Sequence, residues 1–234
     1  MKKIIFLHGW VNRYIINKEE NIRNFYNNLI KELSSKFEIY FPILPGFSKE
    51  NDFNKPLFLD DYIDYLKNYI EKQGIDFFYL MGHSFGGQVA AKFTYYYPEK
   101  VEKLILYNAA CIRKKSLKRI IFRKVSPLFK KIIGKNLFLS KLIYKILTGN
   151  FYYVYYSEHA KQTMANIINE DLSSILPYIH KETIIIWGEK DRLTPLWQGR
   201  LINKLIKKSK LIIYPNGNHN FHLKDSKFIV DCIN

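Results

Sequence analysis

Short, continuously apolar runs of residues recur along the chain and constrain its fold more than any other feature. An unbroken apolar run, without alternation, is typical of a strand buried on both faces of a parallel sheet. Between these runs lie longer amphipathic stretches that favour helices. The alternation predicts an α/β fold with a doubly wound, mostly parallel sheet of about six strands. The predicted strands are residues 3–9, 37–43, 76–82, 103–109, 183–189 and 210–216.

Two of the amphipathic stretches place their apolar residues on one helical face. In the first, this face comprises Phe25, Leu29, Ile30 and Leu33. In the second, it comprises Tyr62, Tyr65, Leu66 and Tyr69.

The alternation stops once, over residues 112–181, where no strand-like run occurs. Helical spacing of apolar residues continues there, first over 117–125 and then over 139–146. A segment of this length between two buried strands is too long for a loop. It predicts a helical cap inserted after the fourth strand, with residues 1–111 and 182–234 forming the core.

The net charge of +16 is concentrated in one part of the chain. Residues 113–145 contain twelve Lys or Arg and no Asp or Glu. One interpretation is a cap whose apolar face covers a site while its lysines meet water, and we favour it. The other is a set of basic amphipathic helices that contact an anionic membrane surface. No nucleic-acid-binding motif accompanies the charge, so we expect no nucleic-acid partner.

The cysteines and the N-terminal residues bear on location. Cys111 and Cys232 lie far apart in the sequence and have no metal-ligand spacing, which predicts free thiols in a reducing compartment. The apolar run Ile4–Leu7 is much shorter than the apolar part of a signal peptide, and no run could span a bilayer. We therefore expect a soluble, cytoplasmic protein.

Polar residues with catalytic potential follow several predicted strands. They lie in the segments 8–10, 82–87, 188–191 and 216–220, after the first, third, fifth and sixth strands. Ligands of open parallel sheets bind beyond the carboxyl ends of the strands. A serine, an acid and a histidine are thus predicted to meet at one edge of the sheet.

The serine lies in the pattern Gly82-x-Ser84-x-Gly86, between a predicted strand and a helix. A very tight turn at this place strains the serine backbone and pushes its hydroxyl outward, which requires small residues two positions before and after. The N–H groups of the following helix then suit a developing oxyanion. The pattern predicts a nucleophile elbow.

Six motifs occur in the order "FLHGW", "LPGFS", "MGHSFGG", "YYPEKVEKLIL", "WGEKDRLTP" and "GNHNFH". With them the chain resembles the α/β-hydrolase superfamily, in its cap-bearing, single-domain serine hydrolase branch. The resemblance implies Ser84 as nucleophile, Asp191 as acid and His219 as base, in the order of that family. It also implies an oxyanion hole made by the backbone N–H groups of Trp10 and Phe85. No metal or organic cofactor is implied.

Each assignment has an alternative. Asp191 could instead cap the helix that follows it, and Glu189 is a second candidate acid. His222 lies three residues after His219 and could face the same site. No acid follows the fourth strand, where Asn108 lies. By the resemblance, His8 braces the oxyanion loop; His83, within the elbow, either packs structurally or lines the pocket.

The expected function is hydrolysis of a carboxylic ester of a small, fairly apolar molecule, through an acyl-enzyme on Ser84. Proteins with this fold and triad also hydrolyse carbon–carbon, amide and thioester bonds, so the type of bond stays open. A membrane-surface lipid hydrolase that uses the basic segment as a lid is an alternative. A non-catalytic ligand-binding protein is a further one.

Overall fold

A computed structural model describes residues 1–11, 19–48, 53–113 and 157–233. Six strands form one sheet in the order β2-β1-β3-β4-β5-β6, and every neighbouring pair is parallel. The predicted α/β fold with a doubly wound, six-stranded sheet is therefore confirmed. The strands are β1 (Lys2–Leu7), β2 (Phe37–Tyr40), β3 (Phe78–His83), β4 (Val101–Tyr107), β5 (Thr183–Gly188) and β6 (Ser209–Tyr214).

Helices cover the sheet. Within the described residues they are α1 (Glu19–Phe25), α2 (Asn27–Ser34), α3 (Leu59–Gln73), α4 (Phe85–Tyr96), α5 (Glu158–Asn169), α6 (Leu196–Leu205) and α7 (Ser226–Asp231). Every residue of β3 and β5 is buried, whereas the residues of the edge strand β6 are half-buried or exposed. Burial on both faces explains why the central strands have unbroken apolar sequences.

The first predicted helical face is only partly correct. The helix is interrupted at Tyr26, which has φ −105° and ψ 9°. Ile22 and Tyr26 are buried together with Leu29 and Leu33, whereas Phe25 and Ile30, which the sequence places on the same face, are half-buried. Ile22, Tyr26, Leu29 and Leu33 follow one another at intervals of four, three and four residues, so one buried face continues through the interruption, and Phe25 and Ile30 lie at its border.

The second predicted face is also shifted. Tyr62 and Leu66 of α3 are buried, and Ile63 and Ile70 complete the buried face. Tyr65 and Tyr69 lie at its border, half-buried. The Tyr65 hydroxyl donates to the Ile43 carbonyl over 2.9 Å. A tyrosine at such a border keeps its hydroxyl near polar partners while its ring covers apolar surface.

The strand order reverses between β1 and β3, and this reversal creates the crevice in which such sheets bind ligands. The two segments that meet there are the loop after β1 and the turn after β3. A Cβ atom at Gly86 would lie 2.2 Å from the Leu7 carbonyl oxygen. The first turn of α4 is therefore pressed against the end of β1, and only glycine permits this approach.

The long insertion lies between β4 and β5, as the sequence predicts, but residues 114–156 lie outside the described residues. The predicted helical patterns at 117–125 and 139–146 fall there, and so does the basic segment 113–145 apart from Arg113. The boundaries of the cap and its contact with a membrane stay predictions. Among the described residues of the insertion, α5 is attached to α4 through Gln88, whose Nε2 donates to the Ile167 and Glu170 carbonyls over 3.1 and 3.0 Å.

Two smaller expectations concern the membrane and the cysteines. No helix in the described part of the chain is long and apolar enough to cross a membrane. Cys111 and Cys232 are both free thiols, as predicted. Burial raises the pKa of Cys111 to about 12, which makes it a poor nucleophile near neutral pH.

Candidate active site

Ser84 lies on a strained turn between β3 and α4. Its φ of 52° and ψ of −114° are unusual for a residue with a side chain. Its backbone is held by hydrogen bonds from the Ser84 N–H to the Tyr107 carbonyl and from the Ala110 N–H to the Ser84 carbonyl, over 3.0 and 2.9 Å. A Cβ atom at Gly82 would lie 2.2 Å from the Gly86 carbonyl oxygen. The turn has the geometry of the predicted elbow.

The strain at Ser84 leads to a prediction about stability. We expect Ser84→Gly to have a free energy of unfolding about 1 kcal/mol higher than Ser84→Ala, because glycine adopts a positive φ without a steric cost. Urea unfolding of both variants measures the difference. At Ser34, an exposed residue of α2, the same two substitutions should rank in the opposite order, since glycine destabilises a helix. Equal stabilities at position 84 would contradict the strained turn.

Asp191 and His219 form a pair at the carboxyl end of the sheet. Asp191 follows β5 and His219 follows β6, and His219 Nδ1 lies 2.7 Å from Asp191 Oδ2. The Asp191 side chain is fully buried, whereas that of His219 is 11% exposed. A buried carboxylate on Nδ1 holds the imidazole in the tautomer whose Nε2 can accept a proton.

The carboxylate of Asp191 also accepts hydrogen bonds from the turn that follows it. Oδ1 accepts from the N–H groups of Leu193 and Thr194 over 2.8 and 2.9 Å, and Oδ2 also accepts from the Thr194 hydroxyl over 2.8 Å. These bonds orient the carboxylate toward His219. The alternative role of Asp191 as a helix cap does not match the structure, because α6 begins at Leu196 with Pro195 as its N-cap.

Glu189, the second candidate acid, points elsewhere. Its side chain is exposed and Oε2 accepts from the Asn216 N–H over 2.9 Å. It joins the loops after β5 and β6 at the surface, and among the described residues it has no hydrogen bond to a histidine.

The loop that carries His219 is anchored through its backbone. The His219 carbonyl oxygen lies 2.8 Å from Asn108 Nδ2, 3.0 Å from His83 Nε2 and 3.3 Å from the Tyr107 hydroxyl. Asn108 also accepts from the Gly188 N–H over 2.9 Å, so one side chain ties together the loops that hold the acid and the histidine. Asn108 lies after the fourth strand, where no acid is present, and its side chain connects these two loops.

His222, the second candidate base, is buried on a 3-10 helix (Phe221–Leu223). Its Nδ1 lies 3.1 Å from the Tyr107 hydroxyl, and it has no hydrogen bond to Asp191. Burial lowers the pKa of His222 to about 4, so it stays neutral and packs in the core. The geometry therefore pairs the acid with His219.

The loop after β1 holds one of the two proposed oxyanion donors in place. His8 is fully buried; its Nδ1 donates to the Gly9 carbonyl over 2.8 Å and its Nε2 accepts from the Leu44 N–H over 3.0 Å. In a trans peptide the C=O and N–H point in opposite directions. The bond to the Gly9 carbonyl therefore orients the Trp10 N–H, which fits the predicted bracing role of His8.

The second proposed donor, the Phe85 N–H, belongs to the first turn of α4, where N–H groups have no partner inside the helix. A Cβ atom at Gly9 would lie 3.2 Å from the Ser84 Cβ, which places the two segments side by side. The Trp10 and Phe85 rings also pack together, with centroids 5.7 Å apart.

The buried state of His8 predicts a loss of stability in mild acid. Burial lowers the pKa of His8 from 6.5 to about 4. The contribution of the neutral ring to the free energy of unfolding is therefore complete above pH 6.5 and is lost as the pH falls toward 4. By pH 5 this loss amounts to about 2 kcal/mol, at about 1.4 kcal/mol per pH unit. Urea unfolding between pH 8 and 5 measures it. His8→Gln should remove about this amount from the dependence and leave the part that the buried His83 and His222 contribute, whereas His180→Gln, at an exposed histidine, should leave the whole dependence unchanged.

The structure brings the predicted residues to one edge but does not join all of them. Asp191 and His219 are hydrogen-bonded, and the rings of His83 and His219 lie 4.9 Å apart between centroids. Among the described residues no hydrogen bond joins the Ser84 hydroxyl to His219. Such a bond often tightens only when a substrate is bound.

Sequence reasoning missed three residues that organise the site. Thr194 has a local signal, since an acid often bonds to the N–H groups two and three residues later in a turn. Tyr26 and Tyr107 have none, because their partners His83 and His219 lie 57 and 112 residues away in the sequence. The folded chain brings these groups together.

Comparison with known proteins agrees with this geometry. A sequence model of the family described as having the alpha/beta hydrolase fold matches residues 2–124, just over half of the chain. The chain belongs to the alpha/beta hydrolase family. The resemblance to the α/β-hydrolase superfamily, drawn from the six motifs, is thus confirmed.

Two curated relatives of this α/β hydrolase cover most of its length. A 2-hydroxy-6-oxo-6-phenylhexa-2,4-dienoate hydrolase of Burkholderia cepacia is 24% identical over 219 residues, which are 84% of this chain and 75% of the relative. A pimeloyl-(acyl-carrier protein) methyl ester esterase of Wigglesworthia glossinidia brevipalpis is 25% identical over 240 residues, 92% of this chain and 86% of the relative. Both are hydrolases.

Solved structures show the same fold. An esterase of Exiguobacterium antarcticum superposes with a TM-score of 0.73 at 20% identity, over all of this chain and 90% of that one. A bacterial membrane phospholipase A superposes with a TM-score of 0.72 at 19% identity, over 98% of this chain and 76% of that one.

Proposed function

We propose that this α/β hydrolase is a serine hydrolase that cleaves a carboxylic ester of a small, fairly apolar molecule. The proposal depends most on the pair of Asp191 and His219, 2.7 Å apart at the sheet edge where the strained Ser84 lies. A buried carboxylate, an imidazole and an elbow serine in this order are the parts of an acyl-transfer site. The esterase relative named above supports the choice of bond.

The proposed reaction has two acyl-transfer steps. His219 Nε2 takes the proton of the Ser84 hydroxyl while Oγ attacks the ester carbon, and the Trp10 and Phe85 N–H groups stabilise the oxyanion. The C–O bond breaks, and His219 protonates the departing alcohol. His219 then takes a proton from water, whose oxygen attacks the acyl carbon. The bond between that carbon and Ser84 Oγ breaks, and His219 returns the proton to Oγ as the acid is released. Asp191 stabilises the imidazolium in both steps.

The surroundings of His219 suit the positive charge that its ring would carry during each step. Burial is the main cause that lowers the pKa of His83 well below 6.5. A neutral His83 next to His219 does not repel the imidazolium that forms during each step.

Aromatic side chains beside the proposed oxyanion donors support an apolar substrate. Trp10 packs edge-on against Phe47 and stacks on Phe53, with centroids 5.0 and 6.0 Å apart. Phe47, Phe53 and Phe85 are buried, and Trp10 is half-buried. These aromatic side chains offer no hydrogen-bond partner to a charged substrate group beside the reacting carbon. Burying such a group against them would cost desolvation free energy.

Labelling with a fluorophosphonate, combined with a panel of p-nitrophenyl esters of increasing acyl length, tests the proposal. We expect one label per chain, located on Ser84 by mass spectrometry, and faster hydrolysis of apolar than of anionic esters. Heat-denatured protein should not be labelled, because the label requires an activated serine. A folded chain that is neither labelled nor active on any ester would instead support a non-catalytic binding protein.

Hydrolysis of a hydroxy-oxo-dienoate is the second candidate, favoured by the relative from Burkholderia cepacia. The same triad serves both reactions, so the fold does not separate them. Comparing kcat/KM for 2-hydroxy-6-oxo-6-phenylhexa-2,4-dienoate with that for the best ester of the panel decides between them. A larger value for the dienoate would replace the ester proposal.

A further inference from the structure

A chain of hydrogen bonds leads from the loop after β1 to the loop after β6 through two buried side chains. The Gly9 N–H donates to the Tyr26 hydroxyl over 3.0 Å, and this hydroxyl lies 2.7 Å from His83 Nδ1. The other ring nitrogen, His83 Nε2, lies 3.0 Å from the His219 carbonyl oxygen. Tyr26 and His83 therefore connect the segment that carries Trp10 with the segment that carries His219.

The chemistry of the groups fixes the direction of each bond. A carbonyl oxygen only accepts, so His83 Nε2 carries a proton and donates to His219. Since the buried His83 ring is neutral, its Nδ1 has a lone pair and no proton. The Tyr26 hydroxyl then donates to Nδ1 while its oxygen accepts from Gly9. All three bonds run in one direction, and no donor faces another donor.

Packing holds the two side chains in place. Tyr26 is 1% exposed and His83 is 2% exposed. The Tyr26 ring meets Phe6 and Phe25 edge-on, with centroids 5.2 and 4.9 Å apart, and stacks on His222 at 4.8 Å. A ring enclosed in this way presents its hydroxyl at a defined position.

We propose that Tyr26 and His83 are positioning residues, which set the placement of the Trp10 segment and of His219 relative to Ser84. The proposal rests on the proposed function for the roles of these three residues. His83 is the neighbour of Ser84 in the chain, so the connection includes the nucleophile turn as well. Catalytic groups lose on the order of 100-fold in rate when misplaced by about 1 Å, which makes such a connection important for the reaction.

A purely structural role is the alternative. Asn108 and Tyr107 also reach the His219 carbonyl. If they alone hold the loop, removal of the connection would reduce stability and the fraction of folded protein, but not the turnover of each folded site. The kcat per active site, counted by fluorophosphonate titration, separates the two roles.

Three variants break the connection at different bonds. Tyr26→Phe removes the hydroxyl and keeps the ring. His83→Asn can place an oxygen near the position of Nδ1 but loses the donor to His219, whereas His83→Gln can place a donor near the position of Nε2. Tyr79→Phe is the matched control, because Tyr79 is on the same strand as His83 and its hydroxyl bonds to Lys2 at the opposite end.

We expect Tyr26→Phe and His83→Asn to lower kcat per active site by about tenfold each, with KM changed less than about twofold. His83→Gln should recover part of the loss, and Tyr79→Phe should match the wild type. The double variant of Tyr26→Phe and His83→Asn should lose no more than the worse single variant, since both break one connection. Losses that multiply, or an unchanged kcat per active site, would overturn the proposal.

Nitrogen NMR of the histidine side chains tests the connection independently of activity. In the wild type at pH 6–8, His83 should carry a proton on Nε2 and none on Nδ1, and Tyr26→Phe should shift the Nδ1 resonance. A protonated Nδ1 would overturn the connection even in an active enzyme. If the wild type neither hydrolyses esters nor takes the label, the proposed function fails, and the NMR result still decides whether the connection exists.

Discussion

Ser84→Ala is expected to lower kcat/KM for ester hydrolysis by about 10⁴-fold or more. The substitution removes the oxygen that would form the acyl-enzyme, and what remains is the weaker effect of the oxyanion donors and of substrate binding. Within the part of the chain that the structure describes, Cys111 offers no replacement for Ser84, because it is buried and its pKa is raised to about 12. Initial rates on the best ester, with wild type and variant at equal folded concentration, measure the loss.

Two controls accompany this experiment. Near-ultraviolet circular dichroism should show that Ser84→Ala keeps the packing of its aromatic residues, and Ser84→Gly should be equally inactive although it relieves the backbone strain. If Ser84→Ala kept more than about a tenth of the wild-type activity, the serine could not be the nucleophile, because every covalent step would be missing its attacking atom.

Asp191→Asn has the second largest expected effect, a fall in kcat of about 10⁴-fold. The carboxylate accepts from the Thr194 hydroxyl and from His219 on Oδ2. The other oxygen accepts from two backbone N–H groups, which would hold the amide oxygen of asparagine on that side. The amide NH₂ would then face His219 Nδ1 and favour the tautomer whose Nε2 carries a proton. Such an imidazole cannot take the proton of Ser84.

Glu189→Gln is the matched control, because it makes the same change of acid to amide in the same loop. Glu189 is exposed and bonds only to the Asn216 N–H among the described residues, so its substitution should change kcat less than about twofold. Steady-state kinetics of both variants decide the assignment of the acid. A large loss in Glu189→Gln together with a small one in Asp191→Asn would reverse it.

The sheet and the places of the candidate residues could be predicted from the sequence because both depend on local patterns. A strand buried on both faces needs an unbroken apolar run, as in β3 and β5, and the end of that run marks the end of the strand. Parallel strands have their carboxyl ends at one edge, so residues after β3, β5 and β6 had to meet there. The strained turn at Ser84 likewise follows from the small residues around it.

Helix faces were less predictable. The spacing of apolar residues predicts one continuous face, but it does not show that the helix is interrupted at Tyr26 or that Ile63 packs inward while Tyr65 lies at the border. Tyrosine is suited to a buried position and to the border of a buried face, since its ring is apolar and its hydroxyl is polar. Packing against the sheet decides between them.

The sequence by itself determined the strands, their approximate limits, the elbow and the order of serine, acid and histidine, because each depends on residues close to one another in the chain. Only the tertiary structure decided which histidine pairs with Asp191 and which stays buried and neutral. It also decided that Tyr26, Asn108 and His83 meet around the loops of the site. These contacts join segments dozens of residues apart, and hydrogen-bond partners at such separations leave no periodicity in the sequence.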